Sequence, residues 1–430
     1  MLTKELVAVI VVCATAFFAD QLLLPVLPLY MRTEVGLTDQ TIGLMFSVMM
    51  VGIAISEIFW GWAVDRVNVK IAIFMGTLAC GAVISTFHLV GTAGFFAIAI
   101  FWYGFSRSPV FILGRYYVAI STPVRMMASG MAFLSMTISL TQALGGIASG
   151  FVAEEWGYTA TLWLAATIAA SAGVLLMLVG RGLDFDRHKQ DHEYQEARAN
   201  HNSVSKATKA LTITVGLFGT IFFISFGIFM AYTPLFGVDV LGIGARSIGA
   251  LFSIRGFVST ILLIPAGKLA DTFGKSRFLL LGLACVTASM GGMALSRDYQ
   301  TFFFSTIVFS IGFSLYMPAA ISLLQERVPV SWAGTATGIY GFMEDVGWII
   351  GPAVAGLLWE TWSKRGPFFF AAVVSVVGLV ILFTTRGRLI PSGKGTAKRY
   401  VEVGEPAATM AASEVRTGID SEPELGEPAV

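Results

Sequence analysis

Six ionisable side chains stand inside apolar runs long enough to cross a membrane: Asp20, Glu57, Arg107, Arg255 and the adjacent pair Glu344 and Asp345. A charged group at the centre of a bilayer costs roughly 2.5–3.5 kcal/mol on insertion scales, so such groups mark solute paths, proton relays or internal ion pairs. Acids exchange protons and attract cations, while arginines hold anions or tune a neighbouring acid. The sequence offers no nucleophile, metal or redox constellation beside them. Cys13, Cys80 and Cys285 lie in apolar runs without ligand spacing and read as buried reduced thiols. Gly274-Lys275-Ser276 has Leu269 where a phosphate-binding loop needs its first glycine. With no ATPase signature and no cofactor called for, an ion gradient, first of all a proton gradient, is the expected energy source for any uphill work.

The elements that must position these groups are membrane helices. Hydrophobic residues are 56% and charged residues 13% of 430 positions, more apolar surface than a water-soluble chain can hide. Lipid is therefore the expected solvent. A net charge of +1 gives no basic excess for a phosphate backbone, which excludes nucleic acid as a partner. Spans of roughly 20 apolar residues are needed to cross the hydrocarbon. Twelve are read, at about 6–30, 41–64, 70–90, 94–119, 126–152, 158–180, 211–236, 246–268, 277–296, 300–324, 332–358 and 366–386. The expected organisation is a six-helix bundle over 1–180, a polar linker over 181–210, a second bundle over 211–388 and a disordered tail over 389–430.

The two bundles repeat each other. The shift that carries Gly61 onto Gly267 also carries Pro28 onto Pro234, Asp65 onto Asp271, Gly145 onto Gly351, Gly150 onto Gly356, Glu154 onto Glu360 and Trp156 onto Trp362. Six is even, so both halves start on the same side, a parallel repeat about the membrane normal. Lys and Arg gather in the segments on the side of the termini. The opposite loops hold only Arg32, Arg246, Arg297, Lys364 and Arg365, so both termini are expected in the cytoplasm.

Gly61-Trp-Ala-Val-Asp65-Arg66-Val-Asn68-Val69-Lys70 joins the second and third spans, and Gly267-Lys-Leu-Ala-Asp271-Thr-Phe-Gly274-Lys275 joins the eighth and ninth. Two copies of Gly-x3-Asp at matching places resemble the signature of the major facilitator superfamily, Gly-x3-Asp-Arg/Lys-x-Gly-Arg-Lys/Arg. Asn68 and Val69 depart from it in the first copy. The resemblance covers about 1–388. It implies an all-α integral membrane fold of twelve transmembrane helices in two pseudo-symmetric six-helix bundles, which rock about a midplane site. It also implies that Asp65 latches the second span to the eleventh in the outward-facing state, and that a monomer is the default. Arg115 is expected to join that latch or to reach the headgroups.

Pro25-Val-Leu-Pro28 resembles the Pro-Val-x-Pro of drug:proton antiporters. Their fifth-span pattern survives there only as Gly145-Gly146 and Gly150. The eleventh span holds it nearly whole, as Gly338-x8-Gly347-x3-Gly351-Pro352-x2-Ala355-Gly356, for which close helix packing is the plain explanation. In the family, spans one, four, seven and ten line the cavity, and spans two, five, eight and eleven form the seam. The resemblance thus implies that Asp20 faces Arg107, and that Arg255 pairs across the seam with Glu57, Glu344 or Asp345. Static ion pairs explain these charges in one reading. In the other, Asp20, Glu344 or Asp345 accepts a proton, tuned by Arg107 or Arg255 until a solute intervenes. The repeat carries Asp20 onto Phe226, Glu57 onto Leu263 and Arg107 onto Phe313, so the charges were added to a shared skeleton. Tyr103, Gln142, Tyr232 and Tyr316 are expected near the cavity, with Phe101, Trp102, Phe222 and Phe223 as candidate apolar walls.

The expectation is a non-enzymatic secondary transporter of a small solute in the plasma or inner membrane, with proton-coupled export preferred. The alternatives are a gradient-independent facilitator and a transport-inactive scaffold.

Overall fold

The computed structural model describes residues 4–63, 66–89, 91–121, 127–180, 205–328 and 332–389. Asp65, Pro123-Val124, Pro329-Val330, the linker over 181–204 and the tail from 390 lie outside the described residues. Two compact units divide the chain, Met1–Thr384 and Thr385–Val430, and the helix packing lies in the first.

The first half is built from α1 (Lys4–Leu23), α2 (Leu27–Thr33), α3 (Asp39–Ala63), α4 (Val69–Thr86), α5 (Ala93–Ser121) and α6 (Met127–Val179). The second is built from α7 (Lys206–Asp239), α8 (Ala245–Phe273), α9 (Lys275–Leu295), α10 (Tyr299–Arg327), α11 (Ala333–Thr361) and α12 (Gly366–Leu389). Ten described helices are long and apolar enough to cross a membrane. In addition α1 and α2 make one span bent by 41° at Leu24-Pro25-Val26. Pro25 and Pro28 account for the bend, because proline removes a backbone donor and clashes with the preceding turn.

Helix α6 is two spans in one hydrogen-bonded run. Its apolar part, Leu134–Val179, has 46 residues. At about 1.5 Å per residue that is roughly twice the ~30 Å hydrocarbon layer. Gly157 breaks it at φ 83°, a conformation that favours glycine. The bent pair and this double span together give the twelve crossings.

Helix ends follow local chemistry. Asn68, which departs from the signature, caps α4 by accepting from the Ile71 amide at 3.1 Å. In the second copy Gly274 turns the chain at φ 99° instead. Ser205 caps α7 through the Thr208 amide at 3.2 Å. That helix therefore starts at Lys206, inside the segment read as linker, because a polar first turn is stable outside the hydrocarbon. Asp298 caps α10, and the Thr301 amide holds its carboxyl below the usual carboxylate range.

Within the first half α1 and α4 pack on α6, and α3 and α4 on α5; in the second α7 packs on α11, and α8 and α9 on α10. The seam between halves is α3 on α11 and α6 on α8. One end of the bundle carries Lys4, Val179 and Lys206, here called the linker end. The other, the loop end, carries Thr33–Asp39, Gly157, Asp239–Ala245 and Thr361–Gly366.

The seam is tight toward the loop end and as far as Gly256, whose Cβ would collide with the Ala143 backbone. A Cβ on Gly249 would collide with backbone atoms of Gly146 and Gly150, and one on Gly43 would collide with the Pro352 carbonyl. By contrast, Gly338 and Gly341, in the linker-end half of α11, meet nothing within 4 Å. Gly249→Ala is therefore expected to lower the melting temperature through overpacking of about 1–3 kcal/mol. Gly338→Ala is expected to gain up to about 1 kcal/mol from helix propensity. Thermal unfolding in detergent measures both.

Candidate functional site

A cavity of about 410 Å³ lies between the halves, and all six membrane-depth ionisable residues line it: Asp20, Glu57, Arg107, Arg255, Glu344 and Asp345. Helices α1, α3 and α5 bring the first-half groups, and α8 and α11 the second-half groups. The rest of the wall is mostly apolar, with Phe226, Trp348 and Met230 among its side chains.

On the first-half side Arg107 donates from Nη2 to Asp20 Oδ2 at 2.8 Å, and Tyr103 donates its hydroxyl to Asp20 Oδ1 at 2.7 Å. The Asp20 carbonyl accepts from the Leu24 amide at 2.9 Å, which fixes the acid one turn before the proline bend. Gln21, next in α1, lines the cavity and has no partner at Oε1.

The second-half side is different. Arg255 is only 1% exposed and forms no bridge to Glu57, Glu344 or Asp345, contrary to the pairing expected across the seam. Its guanidinium instead sits over the Phe226 ring at 4.9 Å and the Phe313 ring at 5.8 Å. These rings give its charge a partial electrostatic partner. Asp345 lies near enough to Glu57 and Glu344 for their charges to act on it. The Tyr316 and Tyr340 hydroxyls are also in the field of Glu344.

Other nominated residues divide. Gln142 and Phe223 line the cavity. Tyr103 is buried behind it on Asp20, and Tyr316 stacks on Phe222 at 4.3 Å. Trp102 is half exposed on the outside, and Phe101 presses its backbone against Gly52. Cys285 is only half buried, unlike Cys13 and Cys80.

The packing glycines sit at helix contacts. Gly145 lies on Gln21, Gly150 on Ala245 and Gly249, Gly347 on Thr220, Gly351 on Ile224, and Gly356 on Gln40; Pro352 packs against Gly227. Of the signature residues, Gly61 lies near the end of α3. Arg66 stacks on Trp62 at 4.0 Å, and Lys70 donates to the Gly180 carbonyl at 2.7 Å. In the second copy Lys275 bridges Asp271 at 3.3 Å and also Glu326, tying α8, α9 and α10 together near Gly267 and Gly274. The expected latch through Asp65 and the side chain of Arg115 lie outside the described residues.

Sequence reasoning missed the closure of the loop end. Arg32 forks onto two carboxylates, Asp39 at 2.8 and 2.6 Å and Asp239, across the seam, at 2.6 and 2.9 Å. Lys364 adds a bridge to Asp239 at 2.9 Å, and Trp359 donates to Asp39 at 3.0 Å. Tyr232, nominated for the cavity, donates instead to the Asp39 carbonyl at 2.7 Å. Glu154 accepts from the Arg246 amide at 3.0 Å, and Glu360 accepts from the Gln40 amide at 2.9 Å. Each acid caps the first turn of a helix in the other half, where exposed amides favour negative charge. The repeat that carries Glu154 onto Glu360 also carries Gln40 onto Arg246, so the two caps are one device used twice. The cavity is thus closed at the loop end.

The family model for the Major Facilitator Superfamily matches residues 9–352 and 238–417. An uncharacterized MFS-type transporter of Methanocaldococcus jannaschii is 21% identical over 383 residues, 89% of this chain and 98% of that protein. Sugar efflux transporter A of Dickeya chrysanthemi is 22% identical over 399 residues, 88% and 95% of the two chains. Among solved structures, a peptide transporter POT in complex with sulfate superposes at a TM-score of 0.76 with 15% identity, over 90% of this chain and 95% of that one.

Proposed function

The chain belongs to the major facilitator superfamily, and we propose that it exports a small amphipathic solute from the cytoplasm in exchange for protons. It is an integral membrane protein whose substrate is a small molecule. The finer reading rests on one observation above all: among the described residues, the six membrane-depth charges of both halves line one cavity that is shut at the loop end. In a low-dielectric wall, three carboxylates side by side are a place for an exchangeable cation, either a proton or a cationic group of the solute.

Lys and Arg concentrate at the linker end, which supports placing that end and both termini in the cytoplasm of a plasma or inner membrane. A closed loop end then supports reading this as the inward-facing state, in which an exported solute is loaded. The Pro25-Val-Leu-Pro28 resemblance and the efflux activity named for the Dickeya relative favour export. A monomer without cofactor is sufficient. The halves 1–180 and 211–388 rock about the seam, and the Asp65 signature latches the linker end in the opposite state.

The test is a proteoliposome assay with an enclosed pH-sensitive dye, to which sugar, amine and amino-acid pools are added with and without a pH gradient. A pool is expected to drive proton movement in the wild type, and Asp345→Asn to reduce that movement by about 5–150-fold. Solute movement without proton flux makes the chain an uncoupled facilitator; no movement with any pool favours a scaffold.

A further inference from the structure

Arg255 and Gln21, both buried in the cavity wall, carry polar atoms without a hydrogen-bond partner. Arg255 has none at Nε or Nη1, and Gln21, 4% exposed, has none at Oε1. No carboxylate among the described residues forms an ion pair with Arg255. A buried donor on a charged group is costly to leave unsatisfied, and the Phe226 and Phe313 faces return only part of that cost. A packed core would have no use for such an arginine. A binding wall has one, because its fork of N–H groups fits a carboxylate.

The same cavity has an opposite pole. Glu57 of α3 and Glu344 and Asp345 of α11 bring three acids to the cavity wall, on helices other than the α8 that carries Arg255. Phe226, Phe223 and Trp348 lie in the wall as an aromatic group, with Phe226 and Trp348 edge to face at 4.8 Å. We infer that the cavity takes a dipolar solute, a zwitterion whose carboxylate sits on Arg255, whose ammonium group faces Glu57, Glu344 and Asp345, and whose apolar body lies against Phe226 and Trp348. The inference rests on the transporter reading of the same cavity and names its substrate class. A solute of this kind competes with protons at the acid wall and adds no net charge to the cavity. Gln21 Oε1 supplies a further acceptor on the first-half side.

The test uses the purified full chain in detergent and one aromatic scaffold, 4-(aminomethyl)benzoate, with homologues of two longer aminoalkyl tethers. For each tether the carboxamide leaves only the cation, the N-acetyl acid only the anion, and the doubly blocked compound neither. Calorimetric binding is expected to favour the dipolar compound of at least one tether by about tenfold or more over each singly blocked form. In Arg255→Gln the dipolar compound is expected to bind no better than the carboxamide, and in Asp345→Asn no better than the N-acetyl acid. Arg255→Gln removes an unpartnered charge and is expected to melt no lower than the wild type. Arg255→Lys, which keeps the charge without the fork, is expected to retain part of the preference. Binding of the doubly blocked compounds as tight as that of the dipolar ones, or no binding of any member, overturns the assignment. Because binding needs no gradient, the two readings fail separately. A dipolar probe that binds but moves no protons sinks coupling alone, and proton movement driven by a solute lacking either charge sinks the zwitterion assignment alone.

Discussion

Asp20→Asn is expected to abolish solute-driven proton movement, by about 100-fold or more, and to destabilise the protein by about 3 kcal/mol. The carboxylate accepts from Arg107 at 2.8 Å and from Tyr103 at 2.7 Å in a wall where it is 6% exposed. Without it the guanidinium is left in the membrane interior with only a ring and the cavity beside it, and breaking a buried pair from one side is the expensive case. Stability and coupling are separable. The double variant Asp20→Asn/Arg107→Gln removes both charges and is expected to recover the melting temperature to within about 1 kcal/mol of the wild type, as paired removals often do. It is expected not to recover proton movement. Full coupled flux in the double variant shows the pair to be a static bridge and leaves proton exchange to the acids of α3 and α11 alone.

Arg32→Gln is expected to open the loop end. The guanidinium makes four hydrogen bonds to Asp39 and Asp239, and those to Asp239 cross the seam. The groups are 14–23% exposed, so solvent screens them in part. Losing the fork is expected to cost the closed end about 2–3 kcal/mol, which shifts the balance between closed and open loop ends by about 30- to 150-fold. A single cysteine at Leu24, a cavity residue near the bend, reports this through its labelling by a membrane-impermeant maleimide added from the loop side. Labelling is expected to be slow with Arg32 in place and faster by that factor in Arg32→Gln. The conservative Arg32→Lys keeps one charge but not the fork and is expected to fall between them. Equal rates in all three mean that the glycine seam, rather than the charges, holds the end shut.

Much of this site was legible in the sequence, for a physical reason. An ionisable residue inside an apolar run has few uses, so Asp20, Glu57, Arg107, Arg255, Glu344 and Asp345 stood out, and all six line one cavity. The pairing of Asp20 with Arg107 followed from the spans that the family resemblance places around the cavity. The isolation of Arg255 did not, because a sequence supplies an inventory of opposite charges but not the distance between them, and three acids in the same half of the membrane made a bridge look natural. Aromatic residues were the least legible. Trp102 and Trp348 are equally apolar, but one faces outward and the other the cavity, a difference set by helix rotation.

The loop-end closure shows the same limit. Arg32 and Asp239 are 207 residues apart and sit among other loop charges, so nothing local marks them as partners. The repeat, however, placed Glu154 on Glu360 and Gln40 on Arg246, and that correspondence already contained the two reciprocal caps. A repeated loop acid that the turn itself does not need is a signal worth testing against helix starts in the other half.

The most direct test of alternating access between two halves is a pair of spin-label distances. Cys13, Cys80 and Cys285 would first be replaced. Labels at Val35 and Leu241 then span the loop end, and labels at Arg66 and Thr272 span the linker end. At rest the loop-end distance is expected to be short and the linker-end distance long. With a transported solute and an imposed proton gradient, a second population is expected in which the first lengthens as the second shortens. Solute transport with both distances unchanged, or with both lengthening together, contradicts the account.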